Sequence, residues 1–348
     1  MSKLIPVQYG DLKYPPHITP IVGEVSVQFK HSENDIKISI EKMKGKSIEY
    51  YSLHTQEPYT NSKTIFSKME KGSIVKEHGL ENIKDSVNRD VSGDSYPNLW
   101  MSDEWTKEFG EFLEIVSGFF EERNRIRVVE LHTPRRSKVS SIDEFMDRLK
   151  QFYNNVAPLF PKAEFVIENS YNKYFLFAKP EEIKVLSDRI DKEKKDCKNS
   201  FSNEYNDFRV GIALDIPQLL YSTELRRCTD DVTEVKIKNL FDELKSAQHN
   251  IISIHISGSR SKSEGCEKLG HSHSGDLYTL FDHKWSKENG DPSDKVKGLK
   301  LSLLEGINLI LSDEKKRFMV PEINDKKSLP SIIDDLESVG IEFDPSVP

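Results

Sequence analysis

Seven short apolar runs of strand length are spaced along this chain, and amphipathic stretches of helix length lie between them. The runs are EVSVQF (24–29), SIEYYSLH (47–54), IRVVELH (126–132), AEFVIEN (163–169), FRVGIALD (208–215), IISIHIS (251–257) and FMVPEI (318–323). An eighth is expected near DLYTLF (276–281). The helical patterns fall at 35–43, 103–123, 141–160, 181–195, 234–247 and 297–313. Neighbouring parallel strands must be joined by a long crossover, which a helix supplies, so this alternation predicts an α/β fold of βα units around a parallel sheet.

Composition narrows what the fold serves. Of 348 residues, 36% are hydrophobic and 31% charged, with the charges dispersed among apolar positions, which excludes disorder of the whole chain. No run approaches 18 apolar residues and the start, MSKLIPVQYGDLKYPP, has no apolar signal core. A cytoplasmic protein without a membrane segment is therefore expected. Fifty Lys and Arg against 58 Asp and Glu give a net charge of −8, which argues against general capture of nucleic acid or of acidic lipid. Cys197, Cys228 and Cys266 are odd in number and widely spaced, fitting neither a disulfide framework nor a CxxC zinc site. Two connections, about 55–102 and 258–296, are longer than a βα loop requires and are read as insertions.

The most informative feature is what ends the strands. His54, His132, Glu168, Asp215, His255 and Glu322 stand at or near the C-terminal ends of six successive runs. In a β/α barrel those ends converge on one mouth, where the chemistry of such folds resides. Strand alternation tests the idea, because residues i and i−2 share a face. Asp215 shares its face with Ala213 and Gly211, His255 with Ser253, His54 with Ser52, and Glu168 with Val166. Ile212, Leu214, Ile254 and Ile256 then fall on the opposite face, toward the helices. Any one of these residues is explained by a structural hydrogen bond or a helix cap, but six on one face point to metal ligation. Mixed imidazoles and carboxylates suit Zn²⁺, Mn²⁺ or Fe²⁺.

In this order and placement the motifs resemble the xylose-isomerase-like barrel superfamily, and most of all its endonuclease IV branch. SLHTQEPYTN (52–61), ELHTP (130–134), IEN (167–169), LD (214–215), IHIS (254–257) and PE (321–322) are each similar to a motif of that branch. The resemblance spans about residues 24–325 and implies a single (β/α)8 TIM barrel, with long insertions after strands 2 and 6 and a C-terminal tail at 326–348. It implies that Glu168 bridges two metals, with His54 and His132 at one and Asp215, His255 and Glu322 at the other. A third site would draw on position 218 and on the pair after strand six, which here read Gln218 and His271-Ser272-His273. The set implies two or three divalent ions per chain, Zn²⁺ first.

Two metals sharing a carboxylate can activate a water and stabilise a departing phosphate oxygen. Arg135, Arg136 and Arg260 follow the ligand strands and offer bidentate forks suited to phosphate. Tyr59 could stack on a base, and Asn169 and Gln218 could orient substrate. The expectation is a metal-dependent phosphodiester hydrolase acting on DNA, a nucleotide or another phosphorylated substrate, with Glu168, Glu322 and Asp215 as its catalytic carboxylates. Two alternatives stand beside it. One is a sugar isomerase or epimerase of the same superfamily, in which Glu168, Asp215, His255 and Glu322 hold one ion and the outer Glu residues carry protons. The other is a multinuclear-iron oxidase that modifies a peptide.

Overall fold

The computed structural model describes residues 18–20, 23–27, 51–55, 113–114, 117–118, 123–134, 136, 139–170, 176–199, 207–225, 231–259, 275–282, 285, 290–313, 315–321 and 328–343. Its strands are β1 (Ile18–Pro20), β2 (Gly23–Val27), β3 (Tyr51–Thr55), β4 (Ile126–Leu131), β5 (Glu164–Glu168), β6 (Val210–Asp215), β7 (Ile251–Ile256) and β8 (Arg317–Pro321). They form one sheet in the order β1-β8-β7-β6-β5-β4-β3-β2, and every pairing is parallel. The helices are α1 (Ile142–Val156), α2 (Pro180–Asn199), α3 (Ile216–Ser222), α4 (Glu234–Leu244), α5 (Asp294–Ile310) and α6 (Leu329–Ser338).

The sheet cannot be flat. Its two edge strands, β1 and β2, are separated in the chain by only Ile21 and Val22. Three Cα steps reach at most about 11 Å. A flat eight-stranded sheet would hold its edges roughly 34 Å apart at the usual strand spacing. The sheet therefore curls until its edges are brought together, and it acquires an inner and an outer face.

Each face has its own core. Outward residues such as Val129, Leu131, Phe165, Ile167, Ile212, Leu214, Ile254 and Ile256 join the large cluster beneath the helices. Phe145, Leu149 and Phe152 of α1, Ile183 and Ile190 of α2, Phe241 of α4 and Leu303 and Ile307 of α5 complete it. Inward residues Val128, Val166, Ala213 and Val320 form a separate small cluster, with Ile252 and Phe318 packed against it. Helix starts are fixed by side-chain caps. Ser141 Oγ accepts from Glu144 N at 3.1 Å, Thr233 Oγ1 from Lys236 N at 3.3 Å and Ser293 Oγ from Val296 N at 3.3 Å.

Three elements differ from the pattern expected of the sequence. Residues 276–281 do not form a strand, since Leu277–Leu280 is a 3-10 turn. Leu277, Leu280 and Phe281 are buried at spacings of three and four, and Thr279 Oγ1 closes the turn on Asp276 O at 2.6 Å. The eighth strand is instead β1, upstream of the first expected run. The stretch read as a tail contains α6, which buries Ile332, Ile333 and Leu336. The expected helix at 35–43 and the insertion at 55–102, beyond Thr55, lie outside the described residues. Among the described residues no helix is long and apolar enough to cross a membrane.

Candidate metal centre

Strand alternation carries a set of polar groups to the inner face at the C-terminal end of the sheet. In β4, Val128 belongs to the inner cluster and Val129 to the outer, so Glu130 continues inward and is fully buried. Glu168 follows Val166 in β5, Asp215 follows Ala213 in β6, and His255 follows Ser253 in β7; all are buried. His132 lies just beyond β4 and is partly exposed.

These groups make two contacts across the interior. His255 Nε2 lies 2.7 Å from Glu130 Oε2, and His132 Nδ1 lies 2.6 Å from Glu168 Oε2. The first of these joins strands three places apart in the sheet, about 14 Å in a flat arrangement, so curling of the sheet is what permits it.

Gln218 ties the carboxylates of β5 and β6 together. Its Nε2 donates to Glu168 Oε1 and, at 3.1 Å, to Asp215 Oδ2. Asp215 also caps α3, with Oδ1 accepting from Gln218 N at 2.6 Å. Asn169 extends the β5–β6 ladder beyond its last backbone pair. Its Oδ1 accepts from Asp215 N at 2.7 Å and its Nδ2 donates to Asp215 O at 3.1 Å. The amide thus positions the Asp215 backbone rather than pointing freely into solvent.

One ligand atom from each of Glu130, Glu168 and His255 falls within 4.8 Å of the other two. Two carboxylates and an imidazole, all buried, are a donor set that fits a first-row divalent ion. Glu130 was not among the residues the sequence singled out. The signal was present, since Glu130 stands at i−2 from His132 on one strand face, but an interior strand position reads first as packing.

Other expected site residues are placed as follows. Position 54 lies in β3, in register with Ser26 and Glu130, on the same face as the buried Ser52; its side chain is outside the described set. Tyr59, Arg135, Arg260, His271, His273 and Glu322 lie outside the described residues. Arg136 is exposed, and its Nη2 pairs with Glu182 Oε1 at 2.7 Å at the start of α2. Among the described residues, no expected phosphate-binding arginine joins the cluster of Glu130, Glu168 and His255.

The sequence matches no family model, and no curated protein matches it significantly. Solved structures do align along most of the chain. An IOLI protein with a bound zinc atom is 11% identical over 90% of this chain and 95% of its own, with a TM-score of 0.40. A xylose isomerase domain protein from Planctomyces limnophilus is 11% identical over 94% and 96%, at 0.38. The 3-keto-D-glucoside 4-epimerase YcjR from E. coli is 12% identical over 92% and 98%, also at 0.38.

These findings correct the expectation of a phosphodiester hydrolase or nuclease. The structures just named include a xylose isomerase domain protein and an epimerase, and no nuclease. At position 218, on which a third metal site was expected to draw, Gln218 supplies a neutral amide that engages Glu168 and Asp215. Arg136, expected on phosphate, is paired with Glu182.

Proposed function

We propose that this chain is a divalent-metal-dependent isomerase or epimerase acting on a sugar-like hydroxy-carbonyl substrate. In this reading the sheet closes as a (β/α)8 barrel, and Glu168, Asp215, His255 and Glu322 hold one ion at its C-terminal mouth. The observation that carries it is the state of Glu168, a buried carboxylate with Gln218 on one oxygen and His132 on the other.

Bound there, a divalent ion would supply Lewis-acid polarisation of a carbonyl and its neighbouring hydroxyl. The protein's share is proton transfer and positioning. Isomerisation and epimerisation need a carboxylate that takes a proton from carbon and a second group that returns it. Glu168 is assigned the first role because its contacts with Gln218 and His132 fix its direction. Glu322 is assigned the second. Gln218 holds the Glu168 and Asp215 carboxylates side by side, as ligands of a single ion.

The test is hydrogen exchange from solvent. Mn²⁺- or Zn²⁺-loaded protein is incubated in D₂O with a panel of aldoses, ketoses and keto-sugars and followed by NMR. Deuterium should enter at the carbon next to a carbonyl, and Glu168→Gln should slow entry by about 10²- to 10⁴-fold. Exchange that proceeds equally in Glu168→Gln, or a metal-loaded protein that exchanges none of the panel, would contradict the proposal.

A further inference from the structure

Glu130 has no part in the ligand set just proposed, yet it is fully buried in the interior and lies against His255. We infer that Glu130 is a positioning residue: it accepts a hydrogen bond from His255 Nε2–H and thereby commits the other ring nitrogen, Nδ1, to the metal. The inference rests on the metal-dependent reading above.

Distance separates this role from direct ligation. Two ligands of one tetrahedral ion, each about 2.0–2.2 Å from it, stand roughly 3.3 Å apart. His255 Nε2 and Glu130 Oε2 form an ion-pair contact at 2.7 Å, close enough for a hydrogen bond once Nε2–H turns toward the carboxylate and too close for an ion shared between these two atoms. A neutral imidazole has one N–H and one lone pair, so a bond donated from Nε2 leaves the lone pair on Nδ1. A carboxylate on the far nitrogen fixes the ring and makes the ligating nitrogen more basic. Burial strengthens the effect, since both partners are 1% exposed or less and water does not compete. The end of β4 thus carries two oppositely built contacts two residues apart: the Glu130 carboxylate within the strand on an imidazole of β7, and the His132 imidazole just beyond it on a carboxylate of β5.

The experiment uses the full chain labelled with ¹⁵N at histidine, read by two-bond ¹H–¹⁵N correlation without metal and with Zn²⁺; His255→Gln identifies the signal. His255 should be the Nε2–H tautomer in both states, with Nδ1 shifting on Zn²⁺ addition. Zn²⁺ titration should show Glu130→Ala binding 10- to 100-fold more weakly. Glu130→Gln, whose amide oxygen still accepts the bond, should stay within tenfold of the parent and keep the tautomer. Zn²⁺ on Nε2, a Glu130→Gln loss as complete as that of Glu168→Gln, or an unchanged Glu130→Ala would overturn the inference. If Glu130→Ala does not fold, the tautomer and Glu130→Gln decide. A chain that binds no Zn²⁺ defeats the isomerase reading, while the tautomer of the metal-free protein still tests Glu130.

Discussion

Arg317, the first residue of β8, shows how this chain buries charge away from its site. The guanidinium is 1% exposed, and all five of its N–H groups are matched. Nε donates to Ile251 O at 2.8 Å, and Nη1 to Asp313 Oδ1 at 2.6 Å and Lys315 O at 3.1 Å. Nη2 donates to Gln248 O at 2.7 Å and Asp313 Oδ2 at 2.8 Å. Removing one partner of such a pair strands the other, so Arg317→Met should cost about 3–5 kcal/mol in urea unfolding. Burial alone would push the Asp313 carboxyl up, but its bonds to Arg317 outweigh this and hold it below the usual carboxylate range. A depressed folded value means the stabilisation is present above the unfolded value and is lost as pH falls through the folded one. Asp313→Asn should therefore flatten the acid-side fall of stability, while an unaltered profile would refute the assignment. At this scale the inward placement of Glu168, Asp215 and His255 was legible, because alternation fixes which face a residue takes. The use of Gln218 on Glu168, of Asn169 on Asp215 and of Glu130 on His255 was not, because these partners lie 46 to 125 residues away in sequence.

Helix packing turns chemically equal positions into unequal ones. Gly298 and Gly306 both lie within α5. A Cβ at Gly298 would meet only the carboxylate end of the exposed Glu234, at 2.2 Å from Oε1. A Cβ at Gly306 would fall 2.2 Å from the ring of Phe241, which is fully buried in α4. Gly298→Ala should raise stability by up to about 1 kcal/mol through helix propensity, since the Glu234 carboxylate can swing away. Gly306→Ala should lower it by about 1–3 kcal/mol, since the ring cannot. Equal effects in thermal unfolding would contradict this account of the α4–α5 contact. Elements with clear period were legible in the sequence, including α1 with its Ser-Ser-Ile-Asp-Glu start and the seven runs that became β2–β8. The three-residue β1 was not, because it is too short to show alternation and ends in proline. Residues 276–281 misled because tyrosine and leucine suit a strand while their burial follows a helical spacing.

For the whole molecule, the curled parallel sheet is what gives the site its character. It separates a large outer core from a small inner one and brings side chains of strands three places apart into contact. The cost is a set of carboxylates and imidazoles gathered in a buried volume, which a cation offsets when it binds. Binding should therefore couple to folding: at a hundredfold excess over Kd, a ligand specific to the folded state adds about 2.7 kcal/mol, and a chelator should lower Tm correspondingly. The most direct measurement is calorimetric titration of the metal-stripped chain with Mn²⁺ or Zn²⁺. The account predicts one site per chain, abolished by Glu168→Gln; no binding, an endpoint of two or more ions, or unchanged binding in Glu168→Gln would contradict it.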